Sequence, residues 1–170
     1  MRRLGSARGL ALPELMVAVG IFSLFAIAFY SLSNFVGRAK ADNMVHTRLM
    51  NDARRAMDKI VWGVGVGGER DGLAEASTYT INPDGLDYVL QDGLIRRIEV
   101  DGAAEEIDFS RQGGGNAVIY APPANGQTFS TELTFTQLLP RVVEVELVLG
   151  HRYAGRWYYA TLATQVSLRN

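Results

Sequence analysis

Glu14 has the most unusual chemical setting in this sequence, because its carboxylate directly precedes a long apolar segment. Leu15 to Val36 spans about 22 residues without a charged side chain. A charge at the centre of a membrane helix costs roughly 2.5 to 3.5 kcal/mol on insertion scales, and less near the helix end. An acid at the edge of such a segment therefore indicates a function beyond simple anchoring.

Neither of two glycine-rich stretches is predicted to be a nucleotide-binding loop. Gly63-x-Gly65-x-x-Gly68 matches the dinucleotide fingerprint, but that fingerprint needs a strand before the glycines and a helix after them. Here a helix is predicted first, so we predict a helix stop and linker. The three glycines at 113–115 lack the Gly-Lys-Ser/Thr of a phosphate loop and are predicted to form a flexible turn.

Candidate catalytic and metal-binding side chains are sparse. Neither His46, on a predicted helix, nor His151, at a predicted turn, has a partner at metal-ligand spacing. No serine lies in Gly-x-Ser-x-Gly, and the absence of cysteine excludes thiol catalysis and zinc thiolates. We therefore predict no catalytic residue, no metal site and no cofactor.

Calcium in the region after the helix is an unsupported alternative. Acids near turns could in principle gather around this ion, which takes several oxygen ligands, but such acids are usually only solvated. They form two groups, Glu105, Glu106 and Asp108, and Asp84, Asp87 and Asp92.

The composition fits one domain with an anchor. The chain has 170 residues, and compact domains commonly have about 100 to 150. With 17 Lys and Arg against 18 Asp and Glu, no basic field indicates nucleic-acid binding. The hydrophobic fraction of 48% combines an apolar first quarter with a more polar remainder.

Leu15 to Val36 is long enough to cross a bilayer. As a helix it would measure about 33 Å, against a hydrocarbon core of about 30 Å. The leader, residues 1–9, has three arginines and no acid, so the positive-inside rule keeps it in the cytoplasm, although Arg38 and Lys40 follow the span. A secretory signal cleaved at residues 39–41 is the alternative, but its apolar region would have roughly 7 to 15 residues. We predict a retained helix.

Beyond the span, the helical period continues. Apolar residues recur at steps of three and four along one face, at Val45, Leu49, Ala53, Met57 and Ile60 or Val61. Arg48 and Asp52, like Arg54 and Asp58, are four residues apart and can pair on the helix surface. The apolar stripe needs a partner surface. We therefore predict one helix from Leu10 to about Val61, with its second half packed on a sheet.

The remainder of the chain has the two-residue period of strands. Turn signals eight or nine residues apart separate segments 79–82, 86–91, 94–100 and 105–110, which is typical of an antiparallel meander. These segments are followed by a glycine loop at 112–116, a short strand at 118–120 and a strand or irregular extended segment at 129–135. The clearest alternation, at 143–149 and 158–168, predicts a hairpin with its turn around Gly150 to Gly155.

These elements predict an α+β fold in which a long N-terminal helix packs on an antiparallel sheet. The expected organisation is a leader at 1–9, a transmembrane helix half at 10–36, an amphipathic helix half at 37–62 and a β-rich head at 63–170.

The first residues resemble the prepilin leader and N-terminal helix of the type IV pilin superfamily. A basic leader ends at Gly9, and an acid, Glu14, stands five residues later at the start of the apolar helix. The resemblance implies that a membrane aspartic peptidase cuts between Gly9 and Leu10 and methylates the new amino terminus of Leu10. It also implies that Glu14 pairs with the terminal amine of a neighbouring subunit during assembly, which agrees with the cost of burying either charge alone.

Two positions depart from the family pattern, and three segments indicate a branch. Leu10 stands where phenylalanine is common, and Pro13 where an aliphatic residue is common, although proline is compatible with a first helical turn. The similarity to minor pseudopilins of type II secretion, especially the J type, lies in segments 20–22, 88–97 and 139–147. Minor type IV pilins share much of that pattern.

The resemblance implies a structural protein without enzymatic activity. It would help to initiate or cap a periplasmic pseudopilus of a type II secretion system, or act as a minor pilin of a type IV pilus. Expected partners are the prepilin peptidase, other minor pseudopilins or pilins, the inner-membrane assembly platform and membrane lipid. The expected location is the bacterial inner membrane, single-pass, with the N-terminus cytoplasmic and the head periplasmic. The alternative from another class is a signal-anchored periplasmic enzyme or ligand-binding protein, in which Glu14 is incidental.

Overall fold

The computed structural model describes residues 12–63, 70–112, 114–124 and 127–169. In these ranges the chain forms a long α-helix, a short 3-10 helix at Leu73–Glu75 and eight strands in two antiparallel sheets, an α+β fold as predicted. The elements are α1 (Leu12–Trp62), β1 (Ala76–Asn82), β2 (Gly85–Leu90), β3 (Ile95–Asp101), β4 (Glu106–Arg111), β5 (Gly114–Tyr120), β6 (Thr128–Leu139), β7 (Val142–Tyr153) and β8 (Arg156–Ser167).

Both sheets pair each strand with its neighbour in sequence. The five-stranded sheet has the order β1-β2-β3-β4-β5, and the three-stranded sheet has the order β6-β7-β8. The predicted meander and the C-terminal hairpin are confirmed. The segment predicted as a strand or irregular extended segment at 129–135 is a full strand, β6, because it pairs with β7 along its length, from Thr128 opposite Arg152 to Leu139 opposite Val142.

Contacts divide the chain into two units, residues 1–43 and residues 44–170, and the second is called the head unit below. Within the head unit, the apolar stripe of α1 packs in a single core with both sheets, which confirms the predicted partner surface. Its fully buried helix residues include Ala53 and Ile60, and the strands contribute residues such as Phe109 and Leu147. Arg48 and Asp52, predicted to pair on the helix surface, lie 3.9 Å apart between Nε and Oδ2.

The helix ends at the first of the predicted glycines. The Gly63 N–H donates to the Lys59 carbonyl at 2.8 Å, and Gly63 has a φ of +100°, the left-handed conformation that commonly closes a helix. Because Gly63 follows a helix, the structure supports a helix stop rather than a dinucleotide loop at this position. The other two glycines of that spacing, Gly65 and Gly68, lie outside the described residues.

Two predicted turn regions were placed wrongly. Gly114 to Asn116, predicted as loop, belong to β5, which pairs with β4. Gly150, predicted as turn, lies inside β7 opposite Tyr159, and a Cβ there would be 2.9 Å from the Tyr159 ring. The real turn has two residues, Ala154 and Gly155, both with positive φ, as the twist of a tight hairpin requires.

Candidate functional site

The apolar part of α1 exposes its side chains throughout. Every residue from Leu12 to Gly37 is exposed, including large side chains such as Phe22 and Phe29. The most apolar 18-residue window of the helix has a mean hydropathy of 2.3, and none of it is buried. By length and composition the helix can span a membrane, as a single-pass anchor requires.

The hydroxyl of Ser23, in this part of the helix, is compatible with an apolar environment. The Ser23 hydroxyl donates to the Val19 carbonyl at 2.8 Å, one turn earlier in the same helix. A hydroxyl bonded to its own helix carries no unsatisfied donor into lipid or into a packed helix interface.

Glu14 is exposed in the first turn of α1, next to Pro13. The helix therefore begins through this proline, as predicted, because a first-turn residue needs no intrahelical N–H donor. The positive end of the helix dipole also favours an acid in the first turn. Gly9 and Leu10, the predicted cleavage and methylation residues, lie outside the described residues.

The most buried ionic group was not predicted from the sequence. Asp71 is 2% exposed and forms ion pairs with Arg96, whose Nε lies 3.8 Å from Oδ2, and with Arg111. The Tyr88 hydroxyl donates to the Asp71 backbone carbonyl at 2.6 Å. The cluster ties the segment after the helix to β2, β3 and β4. One signal existed, because the alternation of β3 places Arg96 on the same buried face as Ile98.

Tyr88 remains a hydrogen-bond donor because its phenol is buried. Burial raises the pKa of Tyr88 far above its ordinary value of 10.0, and the negative charge of Asp71 raises it further. A phenol that stays protonated, held against a backbone carbonyl, is a structural contact rather than an acid-base catalyst.

The two histidines differ in burial. His46 is exposed on α1, whereas His151, on β7, is buried. The His151 ring stacks on Phe129 with centroids 4.6 Å apart, and its Nε2 donates to the Gln127 amide oxygen at 2.8 Å. Burial lowers the pKa of His151, and the nearby positive charge of Arg48 lowers it further, so the ring is neutral near pH 7.

Three of the six acids considered for calcium make other contacts. Asp87 lies beside Arg97 and accepts a hydrogen bond from Asn82 at 2.8 Å, while Asp92 accepts one from the Leu94 N–H at 2.9 Å. The Glu105 carboxylate accepts one from the Thr131 N–H at 2.5 Å. In the described part of the chain, no three His, Asp or Glu side chains converge as metal ligands would.

A shallow groove of about 420 Å³ runs beside the buried half of α1. Its side chains mix charges, with acids such as Asp52 among bases such as Lys59, whose ammonium donates to the Ile119 carbonyl at 3.0 Å. Burial, the largest cause, and the charge of Asp52 raise the pKa of Tyr120 to about 12. The Lys59 hydrogen bond joins β5 to the helix.

Comparisons with models of known protein families, with curated proteins and with solved structures found no match. The structure itself defines the class. The chain is an α+β protein with a single long N-terminal helix, apolar enough over its first half to span a membrane and packed over its second half on antiparallel sheets. This is a pilin-like architecture.

Proposed function

We propose that the chain is a minor pseudopilin, a non-enzymatic subunit that helps to initiate or cap a periplasmic pseudopilus of a type II secretion system. The observation that carries the proposal is the first half of α1, which is fully exposed and uncharged from Leu15 to Gly37, with Glu14 in its first turn. A minor pilin of a type IV pilus would present the same segment.

An exposed apolar helix needs a cover in each environment that it occupies. In the inner membrane, lipid covers it, with the leader in the cytoplasm and the head unit in the periplasm. In a filament, the corresponding helices of other minor pseudopilins or pilins replace the lipid. Glu14 is then desolvated, and the terminal amine of a neighbouring subunit compensates its charge.

The partners follow from this sequence of events. The prepilin peptidase cuts between Gly9 and Leu10 and methylates Leu10, the inner-membrane platform drives assembly, and other subunits bind the apolar helix. Genes for a secretin, an assembly ATPase and further leader-bearing proteins beside this gene would support filament assembly, and their order would distinguish a secretion system from a pilus.

Mass spectrometry of the N-terminus tests the proposal. The mature chain should begin at methylated Leu10, Gly9→Ala should slow cleavage and Gly9→Glu should block it. An intact Met1 or a cut near Ala41 would instead indicate a signal-anchored enzyme or binding protein, or an exported one. Cleavage that is unchanged in both Gly9 variants would remove the assignment of Gly9.

A further inference from the structure

A groove lies beside the free edge of the five-stranded sheet. In the described part of the chain, β1 pairs only with β2, so its other edge carries no strand. Five consecutive residues of β1, 77–81, line a groove of about 550 Å³ along this edge. The opposite wall consists of Gln137, Pro140, Arg141 and Leu168.

The backbone of β1 presents hydrogen-bonding groups to the groove. β1 and β2 join through the two residues Pro83 and Asp84, so Asn82 and Gly85 are the closing pair, which is hydrogen-bonded in such hairpins. Hydrogen-bonded and non-hydrogen-bonded pairs alternate along antiparallel strands. Ile81 and Tyr79 therefore direct their N–H and C=O groups away from β2, toward the groove.

The far wall is held in place by two contacts. The Leu168 N–H donates to the Arg141 carbonyl at 2.9 Å, which joins the end of β8 to the turn between β6 and β7. Across the groove, the Tyr79 hydroxyl donates to the Leu139 carbonyl at 3.4 Å. The groove is thus present before any ligand binds, and a bound segment would not have to organise it.

The charge and apolar character of the groove indicate what it binds. Arg141 is exposed and is the only residue charged at neutral pH among the described residues that line it. Ile81, on the near wall, is 38% exposed, so an apolar side chain is available beside the positive charge. The unpaired edge of β1 can pair with an extended peptide, and the positive charge of Arg141 favours a peptide that carries an acid.

We propose that this groove binds an extended, acidic segment of a partner protein, which adds to β1 as a further strand. Five lining residues correspond to about 17 Å of strand, enough for four or five residues of the partner. The Ile81 and Tyr79 backbone groups pair with the segment, and Arg141 pairs with its carboxylate. This site belongs to the head unit and does not depend on the function proposed above.

Peptide binding to the full-length protein in detergent micelles tests the site. The probe is a fluorescent heptapeptide of alternating valine and threonine with aspartate at its centre. One control peptide has lysine in place of aspartate, and another has N-methylated backbone amides. Fluorescence anisotropy should show binding of the aspartate peptide, about fivefold weaker binding of the lysine peptide and no binding of the N-methylated one.

Variants at two positions, Ile81 and Arg141, locate the site. Ile81→Pro removes an N–H that faces the groove and should abolish binding, whereas the matched Ile81→Thr keeps that N–H and should retain it. Arg141→Glu should reverse the preference for the aspartate peptide, so that the lysine peptide binds more tightly than the aspartate peptide. Because the Arg141 side chain is exposed and only its backbone carbonyl holds the wall, this variant remains informative even if Ile81→Pro does not fold.

Any of four results would overturn the inference. These are no binding of the aspartate peptide, equal binding of the N-methylated peptide, an unchanged preference in Arg141→Glu, and a dimer of this chain that Ile81→Pro dissociates. The last result would mean that the edge serves a second copy rather than an acidic partner.

Discussion

The backbone of Gly72 lies directly against that of Gly63, with no room for a side chain between them. A Cβ on Gly72 would overlap the Gly63 nitrogen and the Val61 carbonyl oxygen, and a Cβ on Gly63 would be 2.6 Å from the Gly72 nitrogen. The segment that carries Asp71 thus crosses the end of α1 so closely that the two backbones are in contact. The buried Asp71 cluster depends on this crossing.

Gly72→Ala should lower the free energy of unfolding by about 2 to 3 kcal/mol, because backbone atoms on the other side of the contact cannot move aside as a flexible side chain can. Urea unfolding of the full-length protein in micelles measures this loss. Gly102→Ala is the matched control, since a Cβ at Gly102 meets nothing within 4 Å and should change stability little. Equal stability of the two variants would contradict the crossing.

Asp71→Asn should cost about 3 kcal/mol or more, because it leaves the buried Arg96 guanidinium without its counter-charge. Thermal and urea unfolding measure the loss. The control is Glu99→Gln, which removes a partly exposed ion pair to Arg97 at 2.7 Å and should cost about 0.5 kcal/mol. If both variants lower the free energy of unfolding by the same amount, the Asp71 cluster is not a net stabilising contact.

His151 should make the head unit less stable in acid. Its pKa is lowered in the folded chain, while the unfolded chain titrates near the ordinary value of 6.5, so the unfolded state binds more protons below that pH. The stability that His151 contributes is present above pH 6.5 and is lost as the pH falls through the lowered folded pKa.

Unfolding at about pH 7.5 and about pH 5 tests this dependence. His151→Gln should lose less stability between the two pH values than the unchanged chain, and His46→Gln, at an exposed histidine, should behave like the unchanged chain. Around the His151 ring, Arg48 and Asp52 are the charged groups from α1, and neither is altered in these variants. Identical pH profiles for all three proteins would refute the role of His151.

Glu14→Ala should leave cleavage at Gly9 largely intact and reduce copurification with other minor pilins or pseudopilins. The reduction should be on the order of tenfold to a hundredfold if a charge-assisted pair is lost at a desolvated interface. Quantitative mass spectrometry of the purified assembly measures it, with Asp58→Ala, an exposed acid further along α1, as the control. Normal copurification of Glu14→Ala would count against its role in assembly.

Patterns that depend on neighbouring residues predicted the structure well. The three- and four-residue steps of α1 gave the buried face that includes Ala53 and Ile60, and the alternation after residue 143 gave β7 and β8. These patterns report burial of one face, which is a local property of helices and strands.

Features that depend on distant residues were missed. Asp71 and Arg111 are 40 residues apart in sequence, and no local pattern reports their pairing. Gly150 suggested a turn because glycine usually breaks strands, but here it makes room for the Tyr159 ring on the adjacent strand. The length of β6 was likewise set by β7, since residues 136–139 are exposed and show no alternation of burial.

The strand order of both sheets has a consequence for how the head unit acquires its structure. Within each sheet, every strand after the first pairs with the strand made just before it, so the chain can close these pairings through short loops with little entropic cost. Folding should therefore be fast and can proceed from the N-terminal side while later strands are still being synthesised or exported. The docking of the helix stripe onto the sheets joins residues far apart in sequence, so this step should come late in the folding of the head unit.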